Sequence, residues 1–178
     1  METYHIHFNG IVQGVGFRPA VYLLATKMGL TGSVSNGNDG VNIFFNADDE
    51  TANLFFKKLK SARPAKAKVI AAQMEKTTAH SFVDFSIVMD DDDAEKQVLI
   101  SPDIAICDNC RAELNDKENR RYNYPFITCT QCGPRYSIIK ALPYEREQTT
   151  MAPFTMCKSC GEEYQDVQDR RFFSQTNS

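Results

Sequence analysis

Six cysteines, all between residues 107 and 160 and all in Cys-x2-Cys pairs, constrain this chain more than any other feature. Two such pairs supply the four ligands of a tetrahedral metal site. Cys107-Asp108-Asn109-Cys110 and Cys129-Thr130-Gln131-Cys132 stand eighteen residues apart, a spacing that predicts one closed zinc site. Gly133 follows the second pair, where a small residue lets backbone N–H groups turn toward the thiolates. Four thiolates leave no open position, so the predicted zinc is structural, the staple of a segment too short to hold itself together. The third pair, Cys157 and Cys160, belongs to a repeat. A fifty-residue shift lays Cys107 on Cys157, Cys110 on Cys160, Glu113 on Glu163, Asp116 on Asp166, Arg120-Arg121 on Arg170-Arg171 and Tyr122 on Phe172. The same shift lays Thr128 on Ser178, so a counterpart of Cys129 falls at residue 179, one beyond the last. Residues 101–178 thus read as one complete finger and a second, truncated one with an incomplete site. The chain is accordingly expected to be a fragment of a longer protein.

The setting expected for these thiols is the reducing cytoplasm. No apolar run approaches membrane-spanning length, and the N-terminus lacks the basic and apolar regions of a signal peptide. In that setting clustered cysteines mean metal or redox chemistry rather than disulfides. Charge is unevenly spread. Residues 1–89 carry nine Lys/Arg against seven Asp/Glu, residues 90–100 one against five, and residues 101–178 ten against eleven. None of these segments has the basic footprint of a nucleic-acid binder. The acidic stretch 90–100, with Asp90 to Asp93 at its start, reads as a solvated linker between two domains.

Residues 1–89 alternate strand and helix signals. Ile6 and Phe8 share one face of a strand over 4–12, and His5 and His7 the other. With no third ligand evident, the two histidines are expected to be solvated. Val21, Leu24, Ala25 and Met28 recur at helical spacing, and Gly29 is a stop. Strands over 31–36 and 41–46 flank Asn36-Gly37-Asn38-Asp39-Gly40, a hairpin turn. A helix over 49–61 has acids at its start, lysines at its end and a core stripe of Ala52, Phe55, Phe56 and Leu59. Strands over 68–75 and 82–88 follow, the second placing Val83, Phe85 and Ile87 on one face. The order βαββαβ, with one strand added, predicts an α+β ferredoxin-like fold, an antiparallel sheet with two helices on one face.

Between the first strand and first helix lies Val12-Gln13-Gly14-Val15-Gly16-Phe17-Arg18-Pro19. Gly14 and Gly16 permit positive φ, and Pro19 suits the first position of a helix. The amides of Gln13, Gly14, Val15, Gly16, Phe17 and Arg18 could converge on an anion at the helix start, with Arg18 adding a planar fork. A plain strand-to-helix turn with a solvated arginine explains Gly-x-Gly equally well. Asn36 ends the strand predicted to lie one strand away from this loop. It could hold a water for attack on a phosphoryl group, or serve as an ordinary turn residue.

The loop, together with Gly32-Ser33-Val34-Ser35-Asn36 and Asp39-Gly40-Val41, resembles the acylphosphatase family. That resemblance implies that the loop amides and Arg18 hold a phosphate and Asn36 positions the attacking water. It implies no metal and no covalent intermediate, with an acyl phosphate as substrate. Followed by Cys-x2-Cys-x18-Cys-x2-Cys-x24-Cys-x2-Cys, and with Arg120-Arg121-Tyr122-Asn123-Tyr124-Pro125-Phe126 and Cys132-Gly133-Pro134-Arg135, the chain is similar to the N-terminal portion of the HypF family of hydrogenase maturation carbamoyltransferases. This implies carbamoyl phosphate as substrate, a HypE-like acceptor protein for the full-length protein, and a place in making the cyanide ligands of [NiFe] hydrogenase. The alternative is a binding module whose fingers dock a protein or nucleic acid, with Arg120-Arg121 and Arg170-Arg171 as contacts and the first domain only holding substrate.

Overall fold

The alternation of the first strand carries through to packing. In the computed structural model, which describes residues 1–88, 99 and 101–177, β1 (Glu2–Ile11) buries Tyr4, Ile6 and Phe8 and turns His5 and His7 to the other face. The chain continues through α1 (Phe17–Lys27), β2 (Thr31–Gly37), β3 (Gly40–Ala47), α2 (Asp49–Ser61), β4 (Lys68–Thr77) and β5 (Phe85–Ile87). The sheet order is β4-β1-β3-β2-β5. β1 pairs antiparallel with β3 and β4, and β3 antiparallel with β2.

Two expectations need correcting. The sheet is mixed, because β5 runs parallel to β2. After β4 the chain crosses to the opposite edge and extends β2, with Gly32 N donating to Asp84 O and Val88 N to Val34 O. The last strand is also short: Phe85 is buried, but Val83 precedes β5 and is 97% exposed. Alternating residues near a chain edge do not share a core unless the backbone is paired that far.

One hydrophobic cluster joins Val21 and Ala25 of α1, Ala52, Phe55 and Leu59 of α2, and Val34, Val41, Ile43 and Phe45 of β2 and β3. Both helices therefore cover the same face. Each large side chain removed from water here contributes about 1.5–3 kcal/mol. Asp48 caps α2 by accepting from Thr51 N at 2.7 Å, and Met28 and Gly29 (φ 67°) end α1. Pro19 is the third residue of α1 rather than the first, still within the turn whose N–H groups lack helical partners. The hairpin closes with Gly37 opposite Gly40, which leaves Asn38-Asp39 as a two-residue connection.

The second half is built on two eight-residue helices, α3 (Asp108–Asn115) and α4 (Lys158–Gln165), each starting directly after the first cysteine of a pair. Its small core consists of Cys110, Ile127, Cys129 and Cys132, with Ile106, Leu114 and Tyr124 against it. The acidic linker expected at 90–100 falls, apart from Leu99, outside the described residues. Among the described residues no helix is long and apolar enough to cross a membrane.

Candidate functional site

The loop between β1 and α1 is pressed against the second half of the chain. Gly14 (φ 69°) has no room for a side chain, since a Cβ would lie 2.6 Å from Pro134 Cβ and 2.9 Å from Tyr144 Cε1. Gly16 (φ 79°) is the N-cap of α1, and its Cβ would meet Thr130. The Gln13 side chain braces the loop. Its Nε2 donates to the carbonyls of Gly37 (2.7 Å) and Gly40 (2.9 Å), and its Oε1 accepts from Tyr144 N at 2.9 Å. Val15 and Phe17 point into the core and anchor the loop from beneath.

β3 separates β1 from β2, so Asn36 at the end of β2 returns beside the loop. Arg18 and Asn36 come together there, both buried. The Asn36 amide lies 3.1 Å from both Arg18 Nη2 and Nε, and the charge-assisted contact favours its oxygen facing the guanidinium. In the opposite orientation Nδ2 reaches Tyr144 O at 3.3 Å and Glu145 Oε1 at 3.4 Å.

The third member is Glu145, which no sequence motif marks. Its carboxylate takes the Arg18 fork in two bonds, Nη1 to Oε1 at 2.5 Å and Nη2 to Oε2 at 3.1 Å. Burial pushes the Glu145 carboxyl above its ordinary range, against the pull of Arg18, and burial likewise raises Tyr144 to about 12. A cavity of about 30 Å³ remains, lined among others by Gly14, Arg18, Asn36, Thr130, Phe173 and Gln175. In this arrangement the Glu145 carboxylate fills the Arg18 fork. Glu145 lies 127 residues from Arg18, in Pro143-Tyr144-Glu145-Arg146, and no periodicity or spacing there marks it.

Cys107, Cys110, Cys129 and Cys132 form a group with the geometry to hold a metal ion, all four Sγ lying within 4.8 Å of one another. Neighbouring sulfurs stand 3.8 Å (Cys107–Cys129), 3.7 Å (Cys129–Cys132) and 3.6 Å (Cys110–Cys132) apart. Cys107 N donates to Cys132 Sγ at 3.3 Å, a backbone donor that would stabilise a thiolate. Cys157 is exposed and Cys160 buried, without a second pair beside them among the described residues. The histidines of β1 are half-buried with partners rather than solvated. His5 stacks on Phe44 at 4.4 Å and meets Asn42 Oδ1 at 2.8 Å, and His7 lies 3.2 Å from Asp39.

The fifty-residue repeat is cross-braced. Arg170 and Arg171, in the second repeat, both bind Glu113 of α3 at 2.5 Å. Arg120 and Arg121, in the first, bind Glu163 of α4 at 2.8 and 2.5 Å. The same exchange reaches the cysteines, with Arg170 Nη1 at 2.9 Å from Cys110 Sγ and Arg120 Nη1 at 3.2 Å from Cys160 Sγ. Burial tends to raise Glu163, but Arg121 and Arg120 outweigh it and hold the carboxyl at about 2. Arg121 and Arg171 are buried, so two of the four arginines weighed as nucleic-acid contacts are internal struts. Arg171→Ala is expected to cost about 2–3 kcal/mol by leaving Glu113 short of a donor. In urea unfolding, Glu113→Ala should add less to Arg171→Ala than it costs alone, and full additivity would refute the brace.

The chain matches known families in the same two parts. Residues 4–87 match the Acylphosphatase family, and residues 106–139 and 156–178 match the HypF finger. An acylphosphatase of Pseudothermotoga lettingae is 39% identical over 89 residues, which is 49% of this chain and 99% of that protein. The chain belongs to the acylphosphatase family. The attached HypF finger makes it an acylphosphatase domain of the kind found in an N-terminal portion of HypF proteins. The carbamoyltransferase HypF of Rhodobacter capsulatus is 41% identical over 175 residues, covering 98% of this chain and 23% of that one. A crystal structure of full-length HypF in the phosphate- and nucleotide-bound form superimposes with a TM-score of 0.89 at 40% identity, over 98% of this chain and 23% of that chain. This acylphosphatase relative thus spans about a fifth to a quarter of the length of the HypF proteins it matches.

Proposed function

We propose that the Arg18 loop cleaves an acyl phosphate, with carbamoyl phosphate as the substrate, as the first step of carbamoyl transfer in hydrogenase maturation. The observation that carries this reading is the Arg18 fork, buried beside Asn36 at the start of α1 and already holding a carboxylate by two bonds. A phosphate offers the same paired oxygens with more charge. In this reading the amides of residues 13–18 and Arg18 hold the phosphate, and Asn36 orients a water. The water oxygen bonds to phosphorus as the bond from phosphorus to the acyl oxygen breaks. The electron pair leaves with that oxygen as a carboxylate, and the water's protons pass to phosphate and solvent. Arg18 stabilises the charge on the phosphoryl oxygens throughout.

Residues 1–89 act as the catalytic domain, 90–100 as linker and 101–178 as the finger region. The fingers hold zinc in a structural role at Cys107, Cys110, Cys129 and Cys132. A tetrahedron with zinc–sulfur bonds of about 2.3 Å has edges of about 3.8 Å, close to the sulfur separations here. Cys157 and Cys160 form half of a second site. Later transfer to a HypE-like acceptor protein is assigned to the remainder of HypF, and the setting is cytoplasmic, where cysteines stay reduced.

The test is phosphate release from carbamoyl phosphate against a plain phosphate monoester. Selective release from the acyl phosphate is expected. Asn36→Ala should lower kcat by about 10²-fold, the cost of losing one positioning group, with a smaller change in KM. Binding of carbamoyl phosphate without any release would favour a domain that only holds substrate.

A further inference from the structure

Glu145 occupies the Arg18 fork that an incoming phosphate must take, yet its backbone is fastened at both ends. On one side Tyr144 N donates to Gln13 Oε1 at 2.9 Å. On the other, Arg146 N donates to Gln175 Oε1 at 3.0 Å, and the Arg146 guanidinium reaches the carbonyls of Gln175 and Asn177 at 2.8 Å and of Phe154 at 2.7 Å. A phosphate dianion offers Arg18 the same paired oxygens as a carboxylate with more charge, and so competes for the fork. The Glu145 side chain would then swing aside while its main chain stays. It would remain within one side-chain length of the site, alongside the Tyr144 carbonyl, which already lies 3.3 Å from the Asn36 amide.

Two acceptors beside a bound phosphate are repelled by it unless a donor stands between them. An acetyl group offers a methyl there, whereas a carbamoyl group offers two N–H bonds. We propose that Glu145, with the Tyr144 carbonyl, accepts N–H from the acyl half of the substrate and so selects carbamoyl phosphate over acyl phosphates without a donor. The inference rests on the reading of the Arg18 loop as an acyl phosphate site. It makes the finger region, which carries both acceptors, the part that sets substrate choice.

The test uses binding, so it does not depend on turnover. Carbamoylphosphonate and acetylphosphonate lack the bridging oxygen of an acyl phosphate, so neither can be cleaved there, and they differ only in NH2 against CH3. Their affinities, and that of inorganic phosphate, would be measured by calorimetry on the zinc-loaded chain. The wild type should bind carbamoylphosphonate about tenfold more tightly than acetylphosphonate, the scale of one hydrogen bond to a charged group. Glu145→Ala should erase that preference, and Glu145→Gln, a neutral acceptor, should keep part of it. Should Glu145→Ala fail to fold, Glu145→Gln decides, and an undiminished preference in it overturns the proposal. A wild type without preference also overturns it, as does a Glu145→Ala protein that tightens all three probes equally and keeps the preference. Arg18→Ala tells the two levels apart. If it binds the probes as the wild type does, or if the wild type binds none of them, the clamp itself is misassigned. Probe binding that needs Arg18 with a preference that ignores Glu145 overturns only the role given to Glu145.

Discussion

Arg18→Ala is expected to lower acyl phosphate turnover by about 10²–10³-fold, the range seen when one preorganised donor to a developing anion is removed. Binding of inorganic phosphate should weaken with it, because in the proposed reaction the same guanidinium serves ground state and transition state. The substitution also strands Glu145. A buried carboxylate deprived of its cation costs about 3–5 kcal/mol, and Arg18 and Glu145 are both buried. Arg18→Ala with Glu145→Gln removes that penalty and separates lost chemistry from lost stability. The double variant should unfold at a higher urea concentration than Arg18→Ala and remain as inactive. A folded double variant that releases phosphate at the wild-type rate would remove Arg18 from the mechanism. Lysine at 18 should restore only part of the loss, since a point charge cannot present the two parallel donors that Glu145 now receives.

Removing the zinc proposed for the four cysteines should have the largest structural effect. Among its described residues the finger region has two eight-residue α-helices, no strand longer than an isolated bridge, and a core that consists largely of its own cysteines. Helices that short do not persist on propensity alone. Apparent binding free energies of about 10–16 kcal/mol for structural zinc at neutral pH exceed what this core supplies. Chelation, or Cys110→Ser, is therefore expected to abolish amide protection across 101–177 while β1 to β4 stay protected. Hydrogen exchange read by mass spectrometry measures both parts in one experiment. The cross-bracing predicts that the loss does not stop at the first finger. Arg170 contacts Cys110 and Glu113 together, so α4 should lose protection along with α3. Protection that survives in α3 after chelation would show that the metal is dispensable for folding. The Arg18 loop should also change, because Tyr144 and Glu145 reach it from the finger side.

Much of the fold was legible from residue order because it is locally encoded. The period-two pattern of Ile6 and Phe8 against His5 and His7 marked a strand with one buried face. The acids at 48–50 and lysines at 57–60 bounded α2, and the two glycines of the hairpin placed its turn. β5 was not legible in the same way. Its parallel pairing with β2 depends on where the chain goes after β4, and Val83 looks as apolar on paper as Phe85 does. The histidines misled for a related reason, since their partners Asn42 and Asp39 lie on or beside the neighbouring strand.

By itself the sequence determined the parts whose chemistry is local. These are the glycine loop ending in Arg18, Asn36 one strand away, four cysteines at metal-ligand spacing, and a repeat of fifty residues. Short-range spacing suffices for these because backbone geometry turns it directly into direction and distance. Tertiary structure alone decided which groups from distant parts of the chain meet. It set the arginine pair of each repeat on the glutamate of the other, and it laid Glu145 in the Arg18 fork across 127 residues. Such contacts join surfaces rather than neighbours in sequence. A lone glutamate between two fingers carries no pattern that names its partner until the fingers are packed against the sheet.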